Sequence, residues 1–380
     1  MKKPKIRFKG FRGEWEEHSL AETEFSIIAG GDIDRTIFKK CGNYPVIANG
    51  ITYDGILGYY ENSYRVKGPA VTVTGRGEVG VAVPRHYSFT PVVRLLAIKS
   101  SHNVDLLANA INLCKVPIES TGVPQLTTSK LQEYNVFMPQ TLDEEDKLAS
   151  YFQHLDSLIQ STTKKIESLK QVKAASLQSM FPQEGETTPR VRFKGFEGEW
   201  EKVRASNVFK TFNEKNRPDL PVLSATQDRG MVNRESIGYN IFHDKSNEAT
   251  YKHILPGQFI IHLRSFQGGF AHSSIEGIAS PAYTIMEFKD KTRHFDLYWK
   301  YIFVSKEFIK RLELITYGIR DGRSISFEEF SEMYFTVPSY EEQKKIASYI
   351  TTLDRQITLQ TQRLEKLKQI KAACLDNMFV

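Results

Sequence analysis

At 380 residues the chain exceeds the usual size of a single hydrophobic core, which points to two domains. With 40% hydrophobic and 25% charged residues it is too apolar for a disordered chain, and no run of about 18 apolar residues encodes a membrane-spanning helix. The formal charge of +6 is uneven: residues 1–15 carry six basic and one acidic side chain, while the rest is near balance, so charge permits nucleic-acid binding without identifying it. The basic start, Met1-Lys-Lys-Pro-Lys, has no apolar stretch behind it and is not a signal peptide. Cys41, Cys114 and Cys374 stand far apart and fit no metal spacing. A reduced, cytoplasmic setting is expected.

In chain order, the first recognisable element is Pro4-Lys-Ile-Arg-Phe-Lys-Gly-Phe-Arg-Gly-Glu-Trp-Glu-Glu17. It returns from Pro189 to Lys202 with ten of fourteen positions identical. The first centre shows strand signals at Ala70-Val-Thr-Val-Thr and Val92-Val-Arg-Leu-Leu-Ala-Ile, and a helix over Val104–Cys114. Residues 142–181 contain no Gly or Pro and form one long helix. Its seam runs Leu148, Phe152, Leu155, Ile159, Thr162, Ile166, Leu169, Lys173, Ser176, Met180, spaced alternately by three and four. That is the a/d pattern of a coiled coil held for more than four heptads. Pro182–Pro189 reads as an exposed linker. The second centre has strand signals at Gln258-Phe-Ile-Ile-His-Leu and Tyr283-Thr-Ile-Met-Glu-Phe, and a helix across Phe295–Leu314. A second long helix then repeats the seam as Ile346, Ile350, Leu353, Ile357, Gln360, Leu364, Leu367, Lys371, Cys374, Met378. Lys147–Phe181 and Lys345–Phe379 share 18 of 35 positions, whereas the centres share little sequence.

The chain is therefore a duplicated unit with like ends and unlike centres. The expected divisions are a first domain over 1–141, a helix over 142–181, a linker over 182–189, a second domain over 190–339 and a helix over 340–380. Each seam finds its economical partner in the other helix. Lys173 and Lys371 at a positions, with Thr162 and Gln360 at d, fix register at some cost in stability.

Catalytic signatures are missing. Gly75-Arg-Gly77-Glu-Val-Gly80 matches a dinucleotide fingerprint, but a strand with Pro84 follows it, so no helix N-terminus awaits a pyrophosphate. A Gly-rich hairpin tip is the better reading. No phosphate-binding loop, zinc-protease motif or amino-methyltransferase motif occurs, and the nine histidines lie scattered. The distinctive features are polar and basic turns at matching places in the two centres. Thr74 and Arg76 match Arg264, Ser265 and Gln267; Ser88-Phe-Thr-Pro91 matches Ala279-Ser280-Pro281; Gln125 and Lys130 match Tyr317, Arg320 and Arg323. Such side chains on Gly-permitted turns fork onto base edges or hold phosphates.

The whole pattern resembles the specificity subunit family of type I restriction-modification systems. The segments that carry it are Gly122-Val-Pro-Gln-Leu, Leu131, Val136-Phe-Met-Pro139, Ser280-Pro-Ala-Tyr283, and Val337-Pro-Ser-Tyr-Glu-Glu-Gln-Lys-Lys-Ile-Ala347 leading to Leu364-Glu-Lys-Leu-Lys368. The resemblance implies an α+β fold with two mixed α/β target recognition domains separated by an antiparallel coiled coil of two long helices. It further implies double-stranded DNA as ligand, read as a bipartite, asymmetric target, with Thr74, Arg76, Gln125, Lys130, Arg264, Ser265, Gln267, Tyr317, Arg320 and Arg323 as the DNA-binding candidates. Two modification subunits would use S-adenosylmethionine to methylate adenine, and restriction subunits would use ATP and Mg2+. This chain itself would be non-catalytic, with no cofactor, no metal and no membrane partner. The alternatives are an enzyme using the Gly75–Gly80 loop, and a coiled-coil scaffold or an orphan DNA-binding protein without restriction partners. Two departures touch the first half: Asp143-Glu-Glu-Asp146 stands where the second half has Glu341-Glu-Gln343, and Gly277-Ile-Ala-Ser-Pro-Ala-Tyr283 has no counterpart in the first centre.

Overall fold

The two stretches free of Gly and Pro are the longest elements of the chain, helices of 38 and 39 residues. The computed structural model describes residues 3–50, 52–114, 124–183, 185–226, 229–237, 245–262, 269–315 and 325–380. By contact density the chain divides into unit 1, Met1–Lys164 with Thr361–Val380, and unit 2, Lys165–Gln360. Each long helix therefore contributes to both units.

Unit 1 begins with β1 (Glu16–Ser19), β2 (Ser26–Ala29), β3 (Tyr44–Ile47), β4 (Ile56–Tyr60), β5 (Ala70–Thr74), β6 (Ala82–Arg85), β7 (Thr90–Pro91) and β8 (Leu95–Lys99). There follow α1 (Val104–Leu113), α2 (Thr128–Gln132), β9 (Asn135–Met138) and the long α3 (Leu142–Ser179). An antiparallel sheet of order β2-β8-β5-β6 forms the centre. All five residues of β5 are buried, which accounts for its unbroken small and β-branched run. A second sheet runs β4-β3-β7. Helix α1 starts at Asn103, whose side chain accepts from the Asp105 and Leu106 amides. It buries Val104, Leu106, Leu107, Ala108, Ala110 and Ile111, and is fastened to β6 by Asn112, which exchanges two hydrogen bonds with the Ala82 backbone.

Unit 2 continues with β10 (Glu201–Arg204), α4 (Ala205–Val208), β11 (Phe209–Phe212), β12 (Leu223–Thr226), β13 (Gly230–Asn233), β14 (Lys252–Ile254), β15 (Phe259–Ile261), β16 (Phe270–His272), β17 (Gly277–Ala279) and β18 (Thr284–Phe288). It closes with α5 (Asp296–Phe303), α6 (Lys306–Ile315), α7 (Phe327–Ser331), β19 (Tyr334–Val337) and the long α8 (Tyr340–Met378). Its main sheet has the order β11-β18-β15-β16, the same arrangement as β2-β8-β5-β6. The centres are thus unlike in sequence and alike in topology. Their cores differ in kind. Aliphatic side chains dominate unit 1, whereas Phe209, Phe259, Trp299, Phe303, Phe308 and Phe330 pack together in unit 2.

The repeated ends build the same frame twice. In unit 1, Arg7 donates from Nε and Nη2 to Glu144 at 2.6 and 2.7 Å; in unit 2, Arg192 does so to Glu342 at 2.7 and 2.8 Å. The Phe8 ring meets Tyr151 edge-on at 5.6 Å, and Phe193 meets Tyr349 at 5.9 Å, both at 78°. Strand β1 pairs antiparallel with β9, and β10 with β19. Trp15 and Trp200 are both buried, Trp15 against Phe379 just past the end of α8. Burying one such indole removes roughly 150–250 Å2 from water, worth at most about 4–6 kcal/mol.

Within each unit the two long helices run antiparallel. In unit 1 the start of α3 (Leu148, Phe152, Leu155) shares a core with the end of α8 (Met378, Phe379). In unit 2 Met180, just past the end of α3, joins the start of α8 (Ile346, Ile350). All twenty expected seam positions are buried or half-buried. The two seam lysines reach across: Lys371 Nζ lies 2.6 Å from Asp156 Oδ1, and Lys173 Nζ lies 2.5 Å from Asp354 Oδ1. The repeat thus carries a matched pair of interhelical ion pairs.

Two sequence expectations change in detail. The strand expected from Val92 begins at Leu95, because Val93 and Arg94 form a turn with Arg94 at φ +73°. The helix expected across Phe295–Leu314 breaks at Val304, and the Ser305 hydroxyl accepts from the Phe308 amide to start α6 afresh.

Candidate nucleic-acid interface

The turn joining β5 to β6 is built by its own backbone. Thr74 Oγ1 donates to the Glu78 carbonyl and accepts from the Val81 amide at 3.0 Å, so this hydroxyl shapes the tip and is 95% buried with its residue. Gly77 takes φ +78°, and Arg76 before it is exposed. A Cβ on Gly75 would sit 2.1 Å from the Arg94 carbonyl oxygen and 2.8 Å from that of Leu126, so only glycine allows this approach. The Gly75 amide donates to Asn49 Oδ1 at 2.8 Å, and the Gly80 amide to the Thr74 carbonyl at 2.8 Å. Those amides are already spent on acceptors of the protein, and a strand follows. The fingerprint-like glycines therefore serve a hairpin and not a pyrophosphate.

Three segments are stitched together here. Asn49 Nδ2 donates to the Val93 carbonyl at 3.1 Å, and the Leu126 amide donates to the Gly75 carbonyl at 3.0 Å. Arg94 Nη1 donates to Gln125 Oε1. The structure thus brings Arg76 and Gln125 to one end of unit 1 and adds Arg94, which sequence reasoning placed inside a strand. A positive φ on a non-glycine residue is a strained choice, and such strain gathers at functional loops. Lys130 lies on α2, capped by Thr127, with Nζ 3.4 Å from Glu133 Oε1.

A second strained turn joins β3 to β4. Tyr53 has φ +53° and is 92% exposed, and Asp54 follows at φ +56°. Arg85, itself 5% exposed, holds this turn by donating from Nη2 to the Asp54 carbonyl at 3.1 Å and from Nε to Thr72 Oγ1 at 3.1 Å. No sequence signal marks Tyr53, because the alternation around it reads as an ordinary turn. In unit 2 the strands that correspond to β5 and β6 are β15 and β16, with His262 N donating to the Gly269 carbonyl at 2.9 Å. Arg264, Ser265, Gln267, Tyr317, Arg320 and Arg323 lie outside the described residues. Among the described residues no helix is long and apolar enough to cross a membrane.

Chemically, exposed cations and amides on hydrogen-bonded turns above a buried sheet can reach base edges or phosphates. Comparison with known proteins points the same way. A family model described as the type I restriction modification DNA specificity domain matches residues 13–171 and again 197–369. The type I specificity subunit S.MpnORF507P of Mycoplasma pneumoniae is 28% identical over 142 residues, 36% of this chain and 39% of that one. S.MpnORF89P of the same organism is 24% identical over 157 residues, 40% and 46% of the two chains. The match thus spans less than half the length of either relative. The crystal structure of the type I restriction-modification S subunit from M. genitalium shares the fold, with a TM-score of 0.66 at 12% identity over 100% of this chain and 99% of that one. With one copy of the family's domain in each half, the chain belongs to the type I restriction-modification DNA specificity family.

Proposed function

We propose that this chain is the target-reading subunit of a type I restriction-modification complex, acting in the cytoplasm and holding no active site of its own. Each centre reads one half of a bipartite, asymmetric sequence in double-stranded DNA. Two modification subunits dock on the two like frames and methylate adenine, and restriction subunits join the same assembly. The observation that carries this reading is the contrast between frame and centre. Arg7–Glu144 and Arg192–Glu342 repeat bond for bond, whereas the centres keep a strand order and change nearly every residue upon it. Like frames suit identical partners; unlike centres suit two different half-sites.

Within unit 1 the reading residues are Arg76, Arg94 and Gln125, with Tyr53 as an exposed ring able to stack or meet a thymine methyl. Arg264, Ser265, Gln267, Tyr317, Arg320 and Arg323 are the counterparts proposed from sequence for unit 2. The test is to sequence methylated adenines in a host that supplies modification subunits, with and without this chain. A single asymmetric, two-part motif that appears only with the chain is the expected result. DNA retention without any new methylation would leave an orphan DNA-binding protein, and neither would leave a scaffold.

A further inference from the structure

Histidines read as scattered along the sequence are not scattered in unit 1. His18 lies on β1, Glu24 in the connection to β2, and His102 just before the Asn103 cap of α1. Their ligand atoms all lie within 4.8 Å of one another, and the imidazole centroids are 5.0 Å apart. His18 Nδ1 is 2.6 Å from Glu24 Oε1, and His102 Nε2 is 3.8 Å from the same oxygen. Glu22 Oε2 stands 3.6 Å from His18 Nδ1.

Behind His102 sits a buried carboxylate. Glu145 is 1% exposed, with Oε1 2.7 Å from His102 Nδ1 and Oε2 accepting from the Asn103 amide at 2.7 Å. A proton on Nδ1 shared with Glu145 leaves the Nε2 lone pair facing Glu24. That Nε2 atom is buried and has no hydrogen-bond partner. In that tautomer two acceptors face each other across 3.8 Å, a gap that either a proton on Nε2 or a metal cation fills. The order carboxylate, imidazole, open nitrogen is also the one that orients histidine on a metal and raises its basicity.

Among its described residues unit 2 lacks the set. Val203 takes the place of His18 on β10, and Gln343, accepting from the Phe295 amide at 2.9 Å, takes the place of Glu145. Among the described residues, His18, Glu24 and His102 are the sole group of this kind.

We propose that His18, Glu24 and His102 bind one divalent ion of the zinc class, with Glu145 fixing the His102 tautomer. Two imidazoles and one carboxylate favour zinc over calcium or magnesium, which prefer oxygen-only shells. Bond lengths of about 2.0–2.1 Å place tetrahedral ligands about 3.3 Å apart. The separations of 2.6 and 3.8 Å bracket that spacing, the imidazole–imidazole separation lies within 4.8 Å, and Glu24, with its side chain one-third exposed, can adjust its own two distances. Glu22 or water completes the shell. The ion staples β1, the β1–β2 connection and the start of α1, so it stabilises unit 1.

The test uses the full chain stripped with a chelator. Zn2+ titration by calorimetry at pH 7 should give one tight site per chain, and Co2+ should give the visible absorption of a tetrahedral site. Glu24→Gln keeps a surface side chain of the same shape, so folding is retained and affinity should fall at least about tenfold. His18→Asn should do the same, and both should abolish the rise in thermal midpoint that Zn2+ gives the native chain. Failure of the folded native chain to take up an equivalent of Zn2+ overturns the proposal. Unchanged affinity in Glu24→Gln and His18→Asn also overturns it, by placing the ion elsewhere.

Discussion

Replacing Arg192 by Ala tests the frame at its most constrained point. The guanidinium donates four hydrogen bonds: two to Glu342 at 2.7 and 2.8 Å, one to the Gly198 carbonyl at 2.6 Å and one to the Glu197 carbonyl at 3.1 Å. Glu342 is 1% exposed, so the substitution strands a buried carboxylate without its cation. Breaking a buried pair from one side costs about 3–5 kcal/mol, most of it the desolvation of the survivor. Glu342→Gln keeps an acceptor of the same shape and leaves a guanidinium that still reaches solvent, so about 1–3 kcal/mol is expected. With both charges removed, no charge is left buried, and the double variant should cost well below the sum. The coupling should be at least about 2 kcal/mol. The assay is urea unfolding of the full chain, followed by fluorescence of its three tryptophans, of which Trp200 and Trp299 report on unit 2 and Trp15 on unit 1. Arg7→Ala should reproduce the loss in the Trp15 signal, since Arg7 makes the same four bonds. Single losses below about 1 kcal/mol that simply add would refute the argument, as would a large effect at Arg192 with none at Arg7.

Burial, reinforced by Arg293, pulls the His294 pKa down from its ordinary value to about 4. Between pH 6.5 and 4 the unfolded chain thus binds a proton that the folded ring refuses, and stability present above about pH 6.5 is lost as pH falls. For a ring still partly open to solvent the loss is about 2 kcal/mol or less, and urea midpoints at pH 7 and 4.5 should fall further for the native chain than for His294→Gln. Arg76→Ala should weaken cognate duplex binding by about 1–3 kcal/mol and relax one target position, whereas an equal loss on scrambled DNA in anisotropy titrations would make Arg76 a phosphate contact. Lys173→Leu with Lys371→Leu should raise the thermal midpoint while light scattering reveals additional oligomers, because a polar a position, even one ion-paired across the helices, trades stability for register.

The long helices were legible because a heptad seam is a local signal, written within a few residues of each position it governs. The duplicated termini were legible as a repeat but not as a device. Nothing in Arg-Phe-Lys-Gly-Phe says that Arg7 will clasp Glu144, since that pairing spans 137 residues. Arg94 was hidden by its apolar neighbours, which read as strand until the turn at φ +73° is seen. The shared sheet order was invisible for a related reason: side chains facing a buried sheet need only be apolar and β-compatible, so aliphatic and aromatic cores satisfy one topology. The histidine pair depends on β1, α1 and the first turn of α3 converging, which only the tertiary fold reveals.

Because unit 1 needs residues 361–380 for its core, synthesis delivers its parts out of order. Residues 165–360, which supply all of unit 2, leave the ribosome before Met378 and Phe379 reach Trp15 and Phe152. At roughly 5–20 residues per second, those 196 residues (360 − 164) take about 10–40 s to make. For that interval the opening turns of α3 present Leu148, Phe152 and Leu155 without their natural cover. A neighbouring nascent chain offering the same apolar strip is the nearest substitute, so an intertwined dimer is the misassembly this order of synthesis exposes the chain to.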